Sequence, residues 1–423
     1  MLCKKLVKTV PNMTGSTVRC LMSNEIVFSN FGHPQQVIQL RKSEVPPLGN
    51  HGVLVRMLAA PVNPSDINTI QGKYPVKVKL PHIPGNEGVG VVEEIGGYVK
   101  NICPGNHVII TKPAQGTWRD IGVFNEAALK VVPNYLGLAE AATLGVNCTA
   151  YRMLSDYRPV RACNMSVIQN AANSACGQYV IQICKAWGIQ TINIVRHRRK
   201  IDDLKSRLEC LGASFVLTEN EVKSTNIFKK DLIHKPSLAL NCVGGKSASQ
   251  MMKHLRPNGC MVTYGGMSKQ PVTIPTPVFI FKTLSFCGFW MTAWNATASD
   301  LAKDEMLGEL ISLVVDGRIR APLHKKRTNP DTRDSRESRL DNRITNTVGV
   351  DTTMTNTVEV DITTTNTVGV DTTVLATTIL DTIVMGTADV NTTVVNTKQS
   401  GLSEREECES GNLSAKMSNK AAP

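Results

Sequence analysis

Residues Ser166–Ile183 read "SVIQNAANSACGQYVIQI". The stretch is patterned as a strand, a turn of small residues and a helix, the order in which a dinucleotide-binding unit begins. A pyrophosphate approaches backbone at a helix N-terminus, where free N–H groups and the helix dipole favour it. Here Ala171, Ala172, Asn173, Ser174, Ala175 and Cys176 are all small enough to permit that approach. Gly177 stands where a glycine lets helix and strand pack closely. The loop holds one glycine where such loops usually carry two or three. Taken alone, it fits a nucleotide cradle and an ordinary turn before a buried helix equally well.

Downstream, the pattern repeats. "TINIV" (191–195) precedes the helical "KIDDLKSRLECLGA" (200–213), and then come "FVLTE" (215–219) and "LALNCVGG" (238–245). A helix over Ser247 to Leu255, "CMVTYGGM" (260–267) and "LSFCGFW" (284–290) follow. Repeated β-α-β units predict an α/β domain with a parallel sheet and right-handed crossovers. A further helix, Asp300 to Asp316, should end at Gly317 as a C-cap. Upstream, from Glu25 to about Ala142, short alternating strands are broken by Gly and Pro, as in "GVGVVEEIGGYVKNICPGNHVII" (88–110). That pattern predicts an all-β, barrel-like domain.

Two further features point to a nucleotide. After Val195 come Arg196, His197, Arg198 and Arg199. In the dinucleotide motif an acid here favours NAD, and arginine accommodates the 2′-phosphate of NADP. A guanidinium binds phosphate bidentately and is always charged. An exposed basic helix start is the alternative, but cations are disfavoured at a helix N-terminus. Tyr264, Gly265, Gly266 and Met267 follow a strand in the second half of the sheet, at the carboxyl end where open α/β sheets bind ligands.

Composition removes other classes. The net charge of +12 is dispersed, without the aromatic-interleaved basic stripe of a nucleic-acid binder. No apolar run approaches the length of about eighteen residues that crosses a bilayer. The twelve cysteines include no C-x-x-C pair and sit in apolar runs, as Cys184, Cys242 and Cys260 do, so reduced buried thiols are expected and a zinc knot is not. Residues 1–24 carry Lys4, Lys5, Lys8 and Arg19 and no acid, which fits a mitochondrial transit peptide. After Pro322 the chain turns to a charged linker, "HKKRTNPDTRDSRESRLDNR" (324–343), and then to ten-residue Thr/Val repeats beginning "TNTVGVDTTM" (345–354). Residues 323–423 are too poor in large apolar groups to bury a core, so disorder is expected there.

The stretches "MLAAPVNPSDINTIQGKYP" (57–75), "PGNEGVGVV" (84–92), "ATLGVNCTAYRML" (142–154), "SVIQNAANSACG" and "VTYGGMSKQPV" (262–272), with "GFW" (288–290), resemble the mitochondrial trans-2-enoyl-thioester reductases. These belong to the medium-chain dehydrogenase/reductase superfamily. The resemblance runs from about Glu25 to Pro322. It implies a GroES-like β-barrel catalytic domain over 25–145, to which 290–322 returns. It also implies a Rossmann doubly wound parallel-sheet domain over 146–289 that binds NADPH. By the same resemblance Tyr74 of "IQGKYP" donates a proton, and Trp290 shapes the pocket beside the nicotinamide. Asn147, Phe289, Met291 and Thr292 fall at nucleotide contacts, and Asn63 and Asn68 are polar candidates nearby.

The zinc alcohol dehydrogenases of the superfamily carry a Cys and a Gly-His-Glu ligand motif. This chain has Pro64-Ser65-Asp66 and Gly85-Asn86-Glu87 there, so no metal is expected. What remains is hydride chemistry on an enoyl thioester of CoA or acyl carrier protein, in the mitochondrial matrix, by a chain whose superfamily often forms dimers. An NADPH quinone or enone reductase is the alternative activity. The family loop reads Ser-Gly-Val-Gly where this chain has Ser174-Ala175-Cys176-Gly177. If position 175 took a positive φ, alanine there would cost roughly 1–2 kcal/mol; at a negative φ it would cost little. The family's closing segment, with a nucleotide-contacting lysine, is replaced after Ala321-Pro322 by the linker and repeats. That replacement raises a catalytically impaired relative as a further alternative.

Overall fold

The computed structural model describes residues 21–160, 165–230 and 232–324, and two short strands, Val348–Val350 and Thr392–Val394. Residues 1–20 of the expected transit peptide lie outside the described residues. So do the remaining linker and repeat residues, and with them the grounds for an impaired relative.

The N-terminal half builds on seven strands: β1 (Met22–Phe28), β2 (Ile38–Glu44), β3 (Gly52–Ala59), β4 (Val89–Ile95), β5 (His107–Ile110), β6 (Ile121–Asn125) and β7 (Leu129–Val132). β1 begins inside the stretch 1–24 and pairs antiparallel with β2. The other five form an antiparallel sheet in the order β6-β3-β4-β5-β7. Alternate apolar residues point inward, so Val53, Val55, Val92, Val108 and Phe124 make its core.

The second half holds β8 (Ser166–Asn170), β9 (Gln190–Val195), β10 (Phe215–Thr218), β11 (Leu238–Asn241), β12 (Cys260–Thr263) and β13 (Ser285–Gly288). All pair in parallel, in the order β10-β9-β8-β11-β12-β13. This is the doubly wound order, with its switch point between β8 and β11, where such sheets bind ligands. β8 is buried along its whole length, as a central parallel strand covered on both faces should be. Asn170 and Asn241 meet at the switch point: Asn170 Nδ2 donates to Asn241 Oδ1 at 2.8 Å, and its Oδ1 accepts from Cys242 N at 2.9 Å.

One apolar cluster joins the two halves. It contains Val89, Ile109 and Val132 from the barrel, Tyr151 and Leu154 from the helix Leu144–Asp156, and Ile183 beneath the sheet. Met306, Leu310 and Leu313 enter it from the helix Asp300–Val315. That helix ends at Asp316, with Gly317 at φ +68°, as the C-cap requires. The returning segment therefore docks on both halves. Lys130 Nζ reaches Asp304 at 2.5 Å on the barrel side. Glu309 accepts from Tyr151 Oη at 2.6 Å and Trp187 Nε1 at 3.1 Å on the other.

Candidate active site

The loop after β8 makes one wall of the site. Ser174 caps the helix Ala175–Ala186, its hydroxyl accepting from Gly177 N at 3.1 Å. Ala175 is thus the first helical residue and bears no left-handed strain. Ala171 does, at φ +48°, where a residue with a Cβ is uncommon. Gly177 is obligatory, because a Cβ there would stand 2.7 Å from Ala172 Cα and carbonyl O. The basic run lies in the connection before the helix Ile201–Cys210, not in a helix start; that helix opens instead with Asp202 and Asp203.

The carboxyl ends of β8, β9, β11 and β12 face a cleft of about 1660 Å³ that reaches to the barrel. Asn173, Ser174, Ala175, Cys176, Arg196, Arg198, Tyr264, Gly265, Met267, Met291 and Thr292 line it, and Tyr74 faces them from the barrel side. His197, Gly266 and Gly177 flank these residues in sequence without lining the cleft. Asn147 lies behind the wall, wholly buried, with neither its amide oxygen nor its nitrogen hydrogen-bonded. Its neighbours Val146 and Cys148 do line the cleft. A small-residue cradle at a helix N-terminus, two arginines at the end of β9 and an orphaned buried amide together fit a phosphorylated dinucleotide.

Tyr74 is held by its loop. Lys73 N and Tyr74 N both donate to Asn68 O, after Gly72 turns the chain at φ +68° against Phe31. Trp290, which does not itself line the cleft, donates from Nε1 to Tyr74 Oη at 2.9 Å, the rings meeting edge to face. The strand end carrying Trp290 is fixed from the helix Leu144–Asp156. Tyr157, which follows that helix, donates from Oη to Gly288 O at 2.9 Å and sets its ring edge-on to Phe289.

Burial sets the protonation of the walls. It pushes Cys176 up to about 12 and Cys242 up to about 11, so both cleft thiols stay protonated. Tyr264, enclosed beside those two thiols, is pushed up as well.

Two carboxyls at the catalytic end carry no local signal beyond their place in the missing zinc motif. Asp66 accepts from Asn63 N at 2.8 Å and from Asn86 N and Nδ2 at 3.0 and 2.6 Å, yet burial raises it to about 6. Glu87 lines the cleft with Oε2 enclosed and unpartnered; burial, then the nearby Asp66, raises it to about 8. The helix Gly245–His254 also offers its start to the cleft through Gly244, Gly245 and Lys246. Only the sheet order brings that second helix start opposite the first, so no local signal marks it. Among the described residues no group of three His, Cys, Asp or Glu side chains is placed to hold a metal ion.

A five-stranded barrel sheet and a doubly wound sheet around a shared nucleotide cleft define a medium-chain dehydrogenase/reductase. The family described as "Alcohol dehydrogenase GroES-like domain" matches residues 49–150, and "Zinc-binding dehydrogenase" matches 175–304. The chain is 49% identical to the mitochondrial enoyl-[acyl-carrier-protein] reductase of Rattus norvegicus over 301 residues, 70% of this chain and 80% of the relative. To the Homo sapiens enzyme it is 46% identical over 300 residues, again 70% and 80%. The structure of Etr1p with NADP and crotonyl-CoA is 34% identical, with a TM-score of 0.69 over 74% of this chain and 94% of that one. The Candida tropicalis Etr1p/Etr2p heterodimer is 34% identical, with a TM-score of 0.67 over 71% and 90%. Escherichia coli quinone oxidoreductase with NADPH is only 21% identical and shares the fold, at a TM-score of 0.61 over 70% of this chain and 89% of that one. The chain belongs to the mitochondrial enoyl-[acyl-carrier-protein] reductases.

Proposed function

We propose that this chain reduces the C=C bond of trans-2-enoyl thioesters with NADPH, as a step of mitochondrial fatty-acid synthesis in the matrix. The observation that carries the mechanism is the bond from Trp290 Nε1 to Tyr74 Oη. An indole N–H can only donate, so it occupies a lone pair of the phenol and leaves the phenolic proton to be given elsewhere. Tyr74 lines the cleft, which supports that proton going to the substrate.

When bound, NADPH supplies the hydride to Cβ of the enoyl group. Negative charge then gathers on Cα and the thioester oxygen of the substrate. Tyr74 stabilises it and protonates Cα. Ser174 and the helix start behind it hold the pyrophosphate, and Arg196 and Arg198 take the 2′-phosphate. Asn147 gives its unpaired amide to the nucleotide, and Tyr264, Gly265, Gly266, Met267, Phe289, Met291 and Thr292 frame it. The substrate is a thioester of CoA or acyl carrier protein. A second copy of the chain is the expected partner, because β13 is an open sheet edge beside the exposed Phe279, Ile280 and Phe281.

The test is NADPH oxidation, followed at saturating cofactor with crotonyl-CoA and with a quinone. Turnover of the thioester far above the quinone supports the reading. The reverse order would transfer the chain to the quinone reductases.

A further inference from the structure

After Gly317 the chain runs, over 319–323, along the helix Ala175–Ala186. This stretch is neither helix nor strand, so its backbone donors need other partners. They find side chains. Arg320 N donates to Gln182 Oε1 at 2.9 Å, Ala321 N to Glu140 Oε1 at 3.0 Å and Leu323 N to Gln178 Oε1 at 3.0 Å. Pro322, between them, has no N–H to place. Gln182 Nε2 returns a bond to Arg320 O at 3.1 Å. Gln178 and Gln182 stand four residues apart, on one face of their helix, and both are buried.

The two glutamines differ at the other end. Gln178 Nε2 donates to Asn173 O, a carbonyl of the nucleotide loop, at 2.8 Å. Ser174 N, on the far side of the same planar peptide, donates to Ala171 O at 2.9 Å. The Asn173–Ser174 peptide is therefore held at both its polar atoms, directly before the helix start. A carboxamide supplies the acceptor for Leu323 and the donor for Asn173 at once.

We propose that Gln178 is a positioning residue for NADPH, which braces the Asn173–Ser174 peptide of the nucleotide loop against the Leu323 amide. Held by Gln178, the Asn173 carbonyl stays turned from the phosphates. Released, the peptide can swing that oxygen towards the cleft, which Asn173 lines, and set its negative end against a pyrophosphate.

The experiment titrates NADPH onto the full chain by fluorescence and measures the Tm of each variant without cofactor. Gln178→Leu removes both bonds. Gln178→Glu keeps the acceptor for Leu323 and sets a carboxylate oxygen against Asn173 O. Both should weaken NADPH by about tenfold, roughly the worth of one buried hydrogen bond. KM for crotonyl-CoA and kcat at saturating NADPH should stay in place. Leu323→Pro takes the amide from the far end of the brace and should weaken NADPH as well. Gln182→Leu is the comparison: it costs two bonds to the same segment and should lower Tm while leaving NADPH affinity intact. Should Gln178→Leu fail to fold, Gln178→Glu and Leu323→Pro decide the matter. Unchanged NADPH affinity in Gln178→Glu would overturn the proposal, and unchanged affinity in Leu323→Pro would remove the brace. Equal losses of NADPH affinity in the Gln178 and Gln182 variants would reduce Gln178 to a packing residue. The proposal rests on the nucleotide reading. A wild-type chain that binds no NADPH would sink that reading, whereas tight binding by wild type and variants alike would sink only the role of Gln178.

Discussion

Trp290 Nε1 and Tyr74 Oη, 216 residues apart in the chain, meet at 2.9 Å. Replacing Tyr74 by Phe keeps the ring and removes the proton and the acceptor. A positioned acid contributes typically 10²–10⁴-fold, so kcat should fall by at least about 10²-fold with NADPH affinity unchanged. Trp290→Phe should cost less, because the phenol keeps its proton and loses only its orientation. Steady-state kinetics and NADPH titration by fluorescence check both. Unchanged turnover in the Tyr74 variant would hand the proton to another donor.

Arg196 stands at the end of β9 on the cleft wall. Arg196→Glu should weaken NADPH by about 10–100-fold, the size of one or two lost charged hydrogen bonds, and barely change NADH. Equal losses for the two cofactors would remove the 2′-phosphate from this arginine.

Gly177 has backbone where a side chain would go, with Ala172 Cα 2.7 Å from the ideal Cβ. Backbone cannot swing aside as a side-chain tip can. Gly177→Ala should cost about 1–3 kcal/mol of stability, read as a fall in Tm and a lower urea midpoint, and should weaken NADPH as the loop shifts.

Glu87 is raised from an ordinary 4.5 to about 8. The folded chain therefore binds this proton more tightly than the unfolded one. The stability it contributes is complete below pH 4.5 and is lost as the pH rises towards 8, at up to about 1.4 kcal/mol per pH unit. Glu87→Gln should flatten that decline and be the more stable variant at pH 8. Urea unfolding at several pH values gives the slopes, and identical slopes in both proteins would exclude an enclosed acid.

Tyr157 pins the Gly288 carbonyl and the Phe289 ring, so it positions Trp290 without touching the cleft. Tyr157→Phe should lower kcat several-fold and leave KM for NADPH in place. A loss confined to Tm, with kcat intact, would reduce Tyr157 to a packing residue.

The α/β pattern, the barrel and the small-residue turn between strand and helix are legible in order, because each depends on spacing within a few residues. Strand alternation marks β3 and β4, and the small-residue run marks the turn after β8. Gly317 closes its helix where the sequence puts a C-cap. The arginine run follows a strand, as its place in the sequence predicts, and only the fold shows it preceding the helix at Ile201 rather than starting one. The sign of φ at Ala175 is open in the sequence; the fold makes it helical and puts the left-handed φ at Ala171. The path of a turn is set by what packs beneath it, here Ala172 under Gly177.

Which elements form, and which family they make, follows from local residue patterns. What those elements bring together follows from how they pack. The order β10-β9-β8-β11-β12-β13 sets two helix starts around one cleft. Packing brings Trp290 to Tyr74, Tyr157 to Gly288 and Glu309 to two aromatic donors. It also encloses Asp66 and Glu87, whose raised proton affinities come from burial, which no residue carries in its own side chain. Such contacts join residues far apart in the chain, so they follow from how whole elements bury their apolar faces against one another and not from any local pattern.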